Sequence, residues 1–136
     1  MTYALRQRVL RPHQTILEMA AGDHADDVAF AAFTRGLVVG TALLMPEPCP
    51  WLPDRDGSWR LRSMAVDPEQ RGQGIGRAVL DEALGYVRTQ HGSVVWCSAR
   101  VPARAFYERA GFVADGEVYQ VEHIGPHIHM WRELSD

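Results

Sequence analysis

The sequence predicts an α+β fold built on a mixed, mostly antiparallel sheet with one central parallel pair of strands and flanking helices. Three observations predict it. A helical pattern over Gln73 to Gln90 stands between two strand patterns, Trp59 to Val66 and Ser93 to Ser98, and strand, helix, strand in succession implies a parallel pair. Apolar runs separated by turn residues lie on both sides of that unit, which favours antiparallel hairpins. The chain has 136 residues, 46% of them apolar and 23% charged, enough for one core in a single domain over 1–136 and too apolar for a disordered or low-complexity chain.

The elements follow in order. Tyr3 to Arg11 has Leu5 and Val9 four apart and stops at Pro12, which predicts a short amphipathic helix. Residues 13–27 carry no clear period. Val28 to Phe33 and Leu37 to Met45 are apolar runs joined by Thr34-Arg35-Gly36, a β-hairpin with glycine in its turn. Pro46 to Ser58 holds Pro46, Pro48, Pro50 and Pro53 with Asp54, Asp56 and Gly57, so neither helix nor central strand runs through it. In Trp59 to Val66, Trp59, Leu61, Ser63 and Ala65 alternate with Arg60, Arg62, Met64 and Val66, as in a strand, and Asp67-Pro68 ends it. In the long helix Ile75, Val79, Ala83 and Val87 recur at intervals of four, with Leu80 and Leu84 beside them, until His91-Gly92. Ser93 to Ser98 is almost wholly apolar, as a strand covered on both faces would be. Pro102 suits the first position of a second helix with Ala103, Phe106, Tyr107 and Ala110 as its inner stripe and Gly111 as its cap. Glu117 to Glu122 and His127 to Leu134 then read as two strands around a turn at His123 to Pro126. The order is α, then β-β-β, then α-β-α, then β-β, without an internal repeat.

Composition excludes several function classes. Fourteen basic side chains, all Arg, against seventeen acidic ones give a net charge of −3, which argues against broad nucleic-acid coating and leaves no nucleic-acid partner expected. Trp51, Trp59, Trp96 and Trp131 read more simply as core and loop packing than as a base-stacking platform. The longest apolar stretches, such as Leu37 to Met45, fall far short of the ~20 residues that span a bilayer, and the N-terminus shows no secretory apolar segment, so a cytoplasmic protein without a membrane partner is expected. Cys49 and Cys97 have no metal-ligand spacing and read as free thiols. His127 and His129 share a strand face with His123 nearby, but no Cys or carboxylate stands at a fixed spacing from them, so no metal site is expected.

Chemistry concentrates in Met64-Ala65-Val66-Asp67-Pro68-Glu69-Gln70-Arg71-Gly72-Gln73-Gly74-Ile75-Gly76-Arg77. Three alternating glycines, Gly72, Gly74 and Gly76, leave backbone N–H groups uncovered at the positive end of a helix, a geometry that binds a phosphate or pyrophosphate. Arg71 and Arg77 can add charge-assisted contacts. A P-loop is excluded because the chain contains no Lys. A dinucleotide fingerprint fails because Arg77 stands where its third glycine belongs and residues 91–100 hold no Asp or Glu.

The segment resembles the acetyl-CoA loop of the GNAT superfamily of N-acetyltransferases, whose signature is Gln/Arg-x-x-Gly-x-Gly/Ala. Arg71-Gly72-Gln73-Gly74-Ile75-Gly76 matches that signature throughout, and Met64 to Glu69 looks like the usual approach to it. Downstream, Ala105-Phe106-Tyr107-Glu108-Arg109-Ala110-Gly111-Phe112 looks like the family's Phe-Tyr-x-x-x-Gly-Phe motif. The ending, Gly116 to Tyr119 and Ile124 to Met130, is similar to that of small bacterial members with a Gly/Ile-Pro-His turn, so the likeness covers about residues 28–134 and is loose before them.

The resemblance implies an acetyl-CoA-dependent N-acetyltransferase acting on a small-molecule or peptide amine by direct attack in a ternary complex. By it the strand ending at Val66 splays from the strand at Ser93 to Ser98, and Met64, Ala65 and Val66 pair with the pantetheine arm like an added strand. Residues 71–77, with Gln73 and Ile75 among them, hold the coenzyme's phosphates, and amides near Ala65 or Val66 receive the oxyanion. Tyr107 is placed beside the leaving sulfur as proton donor. Glu122 and His127, flanking the last turn, are the candidates for taking the amine's proton, with His24 a weaker third. Arg100 replaces the Asn that many relatives carry seven residues before the Tyr and could meet a phosphate or an acidic acceptor. Cys97, near the slot, reads as a buried thiol rather than a nucleophile, since no base is adjacent. Family habit implies a homodimer. A binding module that keeps the coenzyme pocket without turnover is the rival class, and a phosphate-binding domain unrelated to CoA is a third.

Overall fold

The computed structural model describes residues 8–11, 14–20, 27–34, 36–70 and 74–134. Eight described strands form one sheet in the order β1-β2-β3-β4-β5-β6-β8-β7, with β1 at Arg8–Arg11, β2 at Gln14–Ala20, β3 at Val28–Thr34, β4 at Leu37–Pro46, β5 at Ser58–Val66, β6 at Val94–Arg100, β7 at Val113–Val121 and β8 at Gly125–Glu133. Every neighbouring pair is antiparallel except β5 and β6, the pair predicted to be parallel across the long helix. That helix, α1, runs Ile75–Thr89, and the short α2 runs Arg104–Arg109 after a single 3-10 turn at Val101–Ala103 that contains Pro102. The mixed, mostly antiparallel α+β class is therefore as predicted.

The first element differs from expectation. Arg8–Arg11, the described part of the predicted Tyr3 to Arg11 helix, is a strand paired with β2. The residue before a proline is pushed out of the helical region by the ring, so Arg11, ahead of Pro12, favours extended backbone. The unperiodic residues 14–20 supply its partner strand and cover the edge of β3. The remaining elements fall where their patterns put them: Gly36 turns the β3–β4 hairpin at φ +82°, the Pro-rich stretch holds no helix or strand between residues 47 and 57, and β7 begins at Val113, four residues before its expected start at Glu117.

The core lies between the sheet and α1. Ile75, Val79, Leu80, Ala83, Leu84 and Val87 of α1 are buried against Phe30, Ala32, Leu44 and Leu61 of the central strands. Gly40 of β4 makes the close approach possible, because a Cβ there would stand 2.9 Å from Ile75 Cγ2. The pleat sets the two faces of β6: Val95, Cys97 and Ala99 join this core, and Trp96, Ser98 and Arg100 alternate with them toward the opposite face.

Candidate functional site

The site is a slot made by two strands that part. β5 and β6 pair over Ser58↔Val94, Trp59↔Val95 and Arg60↔Trp96 and no further, although β5 runs on to Val66 and β6 to Arg100. Their outer edges stay held, β5 by β4 as far as Gly40↔Val66 and β6 by β8 as far as Arg100↔His127, so the inner edges face each other across an opening. A bulge drives the divergence. The β4–β5 register shifts between Thr41↔Ala65 and Leu43↔Arg62, and Ser63 takes a left-handed φ of 54°. Thr41 Oγ1 donates to the Ser63 carbonyl at 3.0 Å and fixes the bulge. Met64, Ala65 and Val66 follow it, with Ala65 exposed and Met64 and Val66 packed against the core.

At the end of β5 the chain turns into α1. Asp67 N donates to the Val39 carbonyl at 2.8 Å, and the Asp67 carboxylate accepts from Glu69 N at 2.9 Å, so the turn is tied to β4 and to itself. Gly74, the N-cap of α1, sits at φ 76° with no side-chain cap, no acidic residue follows in the first turn, and a Cβ on Gly74 would meet nothing within 4 Å. Among the described residues, then, the positive end of this 15-residue helix carries no side-chain cap and no acidic residue. Gly76 serves packing: a Cβ there would stand 3.1 Å from Val66 Cγ2 and 3.4 Å from Phe106 Cε1, so glycine lets α1 start against both β5 and α2. Ile75 is buried beneath the turn. Arg77 donates to Asp81 at 3.0 Å and to the Arg109 carbonyl at 3.2 Å, which ties α1 to the end of α2. Arg71, Gly72, Gln73 and His24 lie outside the described residues.

Tyr107 of α2 belongs to the core on the α1 side of the sheet. It is 6% exposed, between the rings of Phe106 and Phe112 at 5.2 and 5.3 Å. Burial, and secondarily the nearby Cys97, raises its phenol well above the ordinary range. Burial likewise pushes the Cys97 thiol up to about 12, so it stays protonated and is no nucleophile near neutrality. Both groups are held neutral when folded, and their folded values exceed their unfolded ones. Their stabilisation is therefore complete below the unfolded values and is lost as pH rises toward the folded ones. Denaturant titrations are expected to show lower stability at pH 11 than at pH 8, with a shallower loss in Cys97→Ala; equal stability at both would contradict this burial.

The opposite face carries a second cluster that no local pattern announces. His127, 7% exposed, donates from Nδ1 to the Gly125 carbonyl at 3.0 Å, which leaves Nε2 with a free lone pair. Register places His127 opposite both Arg100 and Tyr119, and His129 opposite Ser98. The Ser98 and Tyr119 hydroxyls are hydrogen-bonded to each other. Trp51, from the Pro-rich loop, stacks on His129 with ring centroids 4.6 Å apart and meets Trp96 edge-on at 5.5 Å, while Trp96 Nε1 donates to the Glu47 carbonyl at 2.9 Å. The alternation of Trp96, Ser98 and Arg100 in the sequence was the one available signal; the pairing partners were not. Glu122 stands apart at the exposed tip of the β7–β8 turn, 3.4 Å from His123, with its side chain 88% exposed. Among the described residues no group of three His, Cys, Asp or Glu is placed to hold a metal, and no described helix is long and apolar enough to cross a membrane.

The same fold occurs in known proteins. The acetyltransferase (GNAT) family matches residues 3–112. An uncharacterized N-acetyltransferase of Bacillus subtilis (strain 168), YitI, is 32% identical over 135 residues, which is 98% of this chain and 90% of that protein. The crystal structure of an acyl-CoA N-acyltransferase from Pseudomonas aeruginosa superposes with a TM-score of 0.65 at 30% identity, covering 80% of this chain and 70% of that one. An aminoglycoside 6'-N-acetyltransferase complexed with coenzyme A shares the fold at 17% identity, with a TM-score of 0.65 over 79% of this chain and 73% of that one. With the slot, the helix turn and these likenesses in agreement, the chain belongs to the GNAT family of acetyltransferases.

Proposed function

We propose that the protein transfers the acetyl group of acetyl-CoA to a primary amine by direct attack in a ternary complex. The observation that carries this reading is the parting of β5 from β6 beyond Arg60↔Trp96, next to an α1 start whose amides have no cap. Inner-edge backbone of Met64, Ala65 and Val66 is free on the slot side to pair with an extended amide-bearing arm. The uncapped N-terminus of α1 suits a diphosphate, and a protein of the same fold is solved with coenzyme A. An amide at Ala65 or Val66 would face the developing oxyanion, a contribution of ~3–4 kcal/mol for such a donor.

Acid and base stand on opposite faces of the opening. The amine nitrogen bonds to the thioester carbon as the carbon–sulfur bond breaks, so one proton must leave nitrogen and one must reach sulfur. His127 Nε2 takes the first, which its Nδ1 bond to Gly125 favours by fixing the basic tautomer. Tyr107, on the α1 side near Cys97, gives the second. Glu122 is too far into solvent to share either task. Calorimetry with acetyl-CoA and thiol release across an amine panel test the reading together. Binding with amine-dependent thiol release is expected. Binding without release from any amine would leave only a coenzyme-binding module, and no binding would reject the reading.

A further inference from the structure

The face that carries His127 and, opposite His129 in register, Asp115 also carries two arginines that form no ion pair among the described residues. Arg60 of β5 is ion-paired: it meets Glu47 at 3.1 Å and lies over the Trp96 ring at 4.9 Å, although its buried Nε has no hydrogen-bond partner. Arg62, two residues further on the same strand face, and Arg100, at the end of β6, are both exposed. Among the described residues neither has a carboxylate within ion-pair distance. Pairing of their strands stops at Arg60↔Trp96, so Arg62 stands where the slot begins and Arg100 at the far end of β6. Arg100 sits directly opposite His127, so their Cβ atoms are about 5 Å apart on one face. On the same face Trp51 stacks on His129, the neighbour of His127 two residues along β8.

We infer that the acceptor is a compact amino-carboxylate, a free amino acid whose carboxylate is gripped by Arg100 and Arg62 while its amine faces His127. This rests on the acetyltransferase reading and names the substrate class of that site. Because Arg100 and His127 are direct register partners, a ligand need be no larger than a free amino acid to meet both with its carboxylate and its amine. A guanidinium fork is the side chain best shaped to take a carboxylate in two hydrogen bonds. Arg100 alternates along β6 with Val95, Cys97 and Ala99 of the α1-side core, which puts it on the acceptor face with His127.

The test pairs each of the twenty standard amino acids with its decarboxylated amine, with thiol release from acetyl-CoA as readout. At least one amino acid is expected to exceed its decarboxylated partner thirty-fold or more in kcat/KM. Arg100→Gln and Arg62→Gln are each expected to raise KM for that amino acid ten-fold or more and to collapse its preference. Decarboxylated amines turned over as well as the amino acids, or arginine variants that leave the preference intact, would overturn the inference. If nothing is turned over, titration of the amino acids into the CoA-loaded protein decides: carboxylate-dependent binding supports it, and equal or absent binding overturns it. Acetyl-CoA titration of Arg100→Gln separates the two readings. Unaltered coenzyme affinity is expected, and a ten-fold loss there would assign Arg100 to the coenzyme instead. Failure of wild-type protein to bind acetyl-CoA would sink the acetyltransferase reading itself.

Discussion

Replacing Gly74 with glutamate is expected to weaken acetyl-CoA binding about a hundred-fold while the protein still folds. Gly74 is exposed at the N-cap of α1, and an added side chain would meet nothing within 4 Å, so no core contact is disturbed. The backbone cost is the left-handed φ of 76°, about 1 kcal/mol for a residue other than glycine. The electrostatic cost is larger. A carboxylate about 6 Å from a phosphate charge loses about 3 kcal/mol at an effective dielectric of ~20, which is roughly two decades in affinity. It also cancels the helix dipole at the point where the anion would sit. Gly74→Gln, with similar bulk and strain, should lose no more than about ten-fold, and the gap between the two variants should narrow at high salt. Calorimetry at two ionic strengths, with melting curves as the folding control, checks this. Equal affinity for the Glu variant and the wild type would show that the turn holds no anion.

What could be read in advance depended on whether the signal was local. The α1 pattern of Ile75, Val79, Ala83 and Val87 and the apolar run of β6 are imposed by burial, and both elements formed where predicted. Leu5 and Val9 four apart fitted a helix, but a four-residue edge strand is too short to show its own period, and Pro12 biased Arg11 the other way. β7 began earlier than expected because an exposed edge strand bulged at Gly116 has no alternation to read. The glycine turn was legible for the opposite reason, since its chemistry lies in consecutive residues. Arg77 shows the limit of such reading: its i,i+4 partner Asp81 was visible in the sequence, and the side chain is engaged there and with Arg109. The His127, Arg100 and Tyr119 cluster was hidden, because it exists only through the register of β6, β8 and β7.

Tyr107→Phe is expected to lower kcat ten-fold or more, and of the order of 10²-fold if proton delivery to sulfur limits the rate, with acetyl-CoA affinity retained. The substitution removes one oxygen and keeps the ring that packs between Phe106 and Phe112, so the fold should survive it. On ordinary values the raised phenol is a weak acid for a thiolate, near 8.5 for the thiol against about 10 for the phenol. The same desolvation acts on sulfur, however. Cys97, beside Tyr107, is pushed up to about 12 by burial, and a coenzyme thiolate expelled into that dry region would be raised in the same way. The gap between donor and acceptor therefore stays near its solution size, and transfer remains feasible once the phenol is within hydrogen-bond reach. A phenol raised this far also stays protonated through pH 9, so Tyr107 should add no descending limb to the kcat profile below that pH. Steady-state kinetics of the wild type and Tyr107→Phe from pH 6 to 9 measures both effects. An unchanged kcat in the variant would remove Tyr107 from the reaction and leave it a core aromatic of α2.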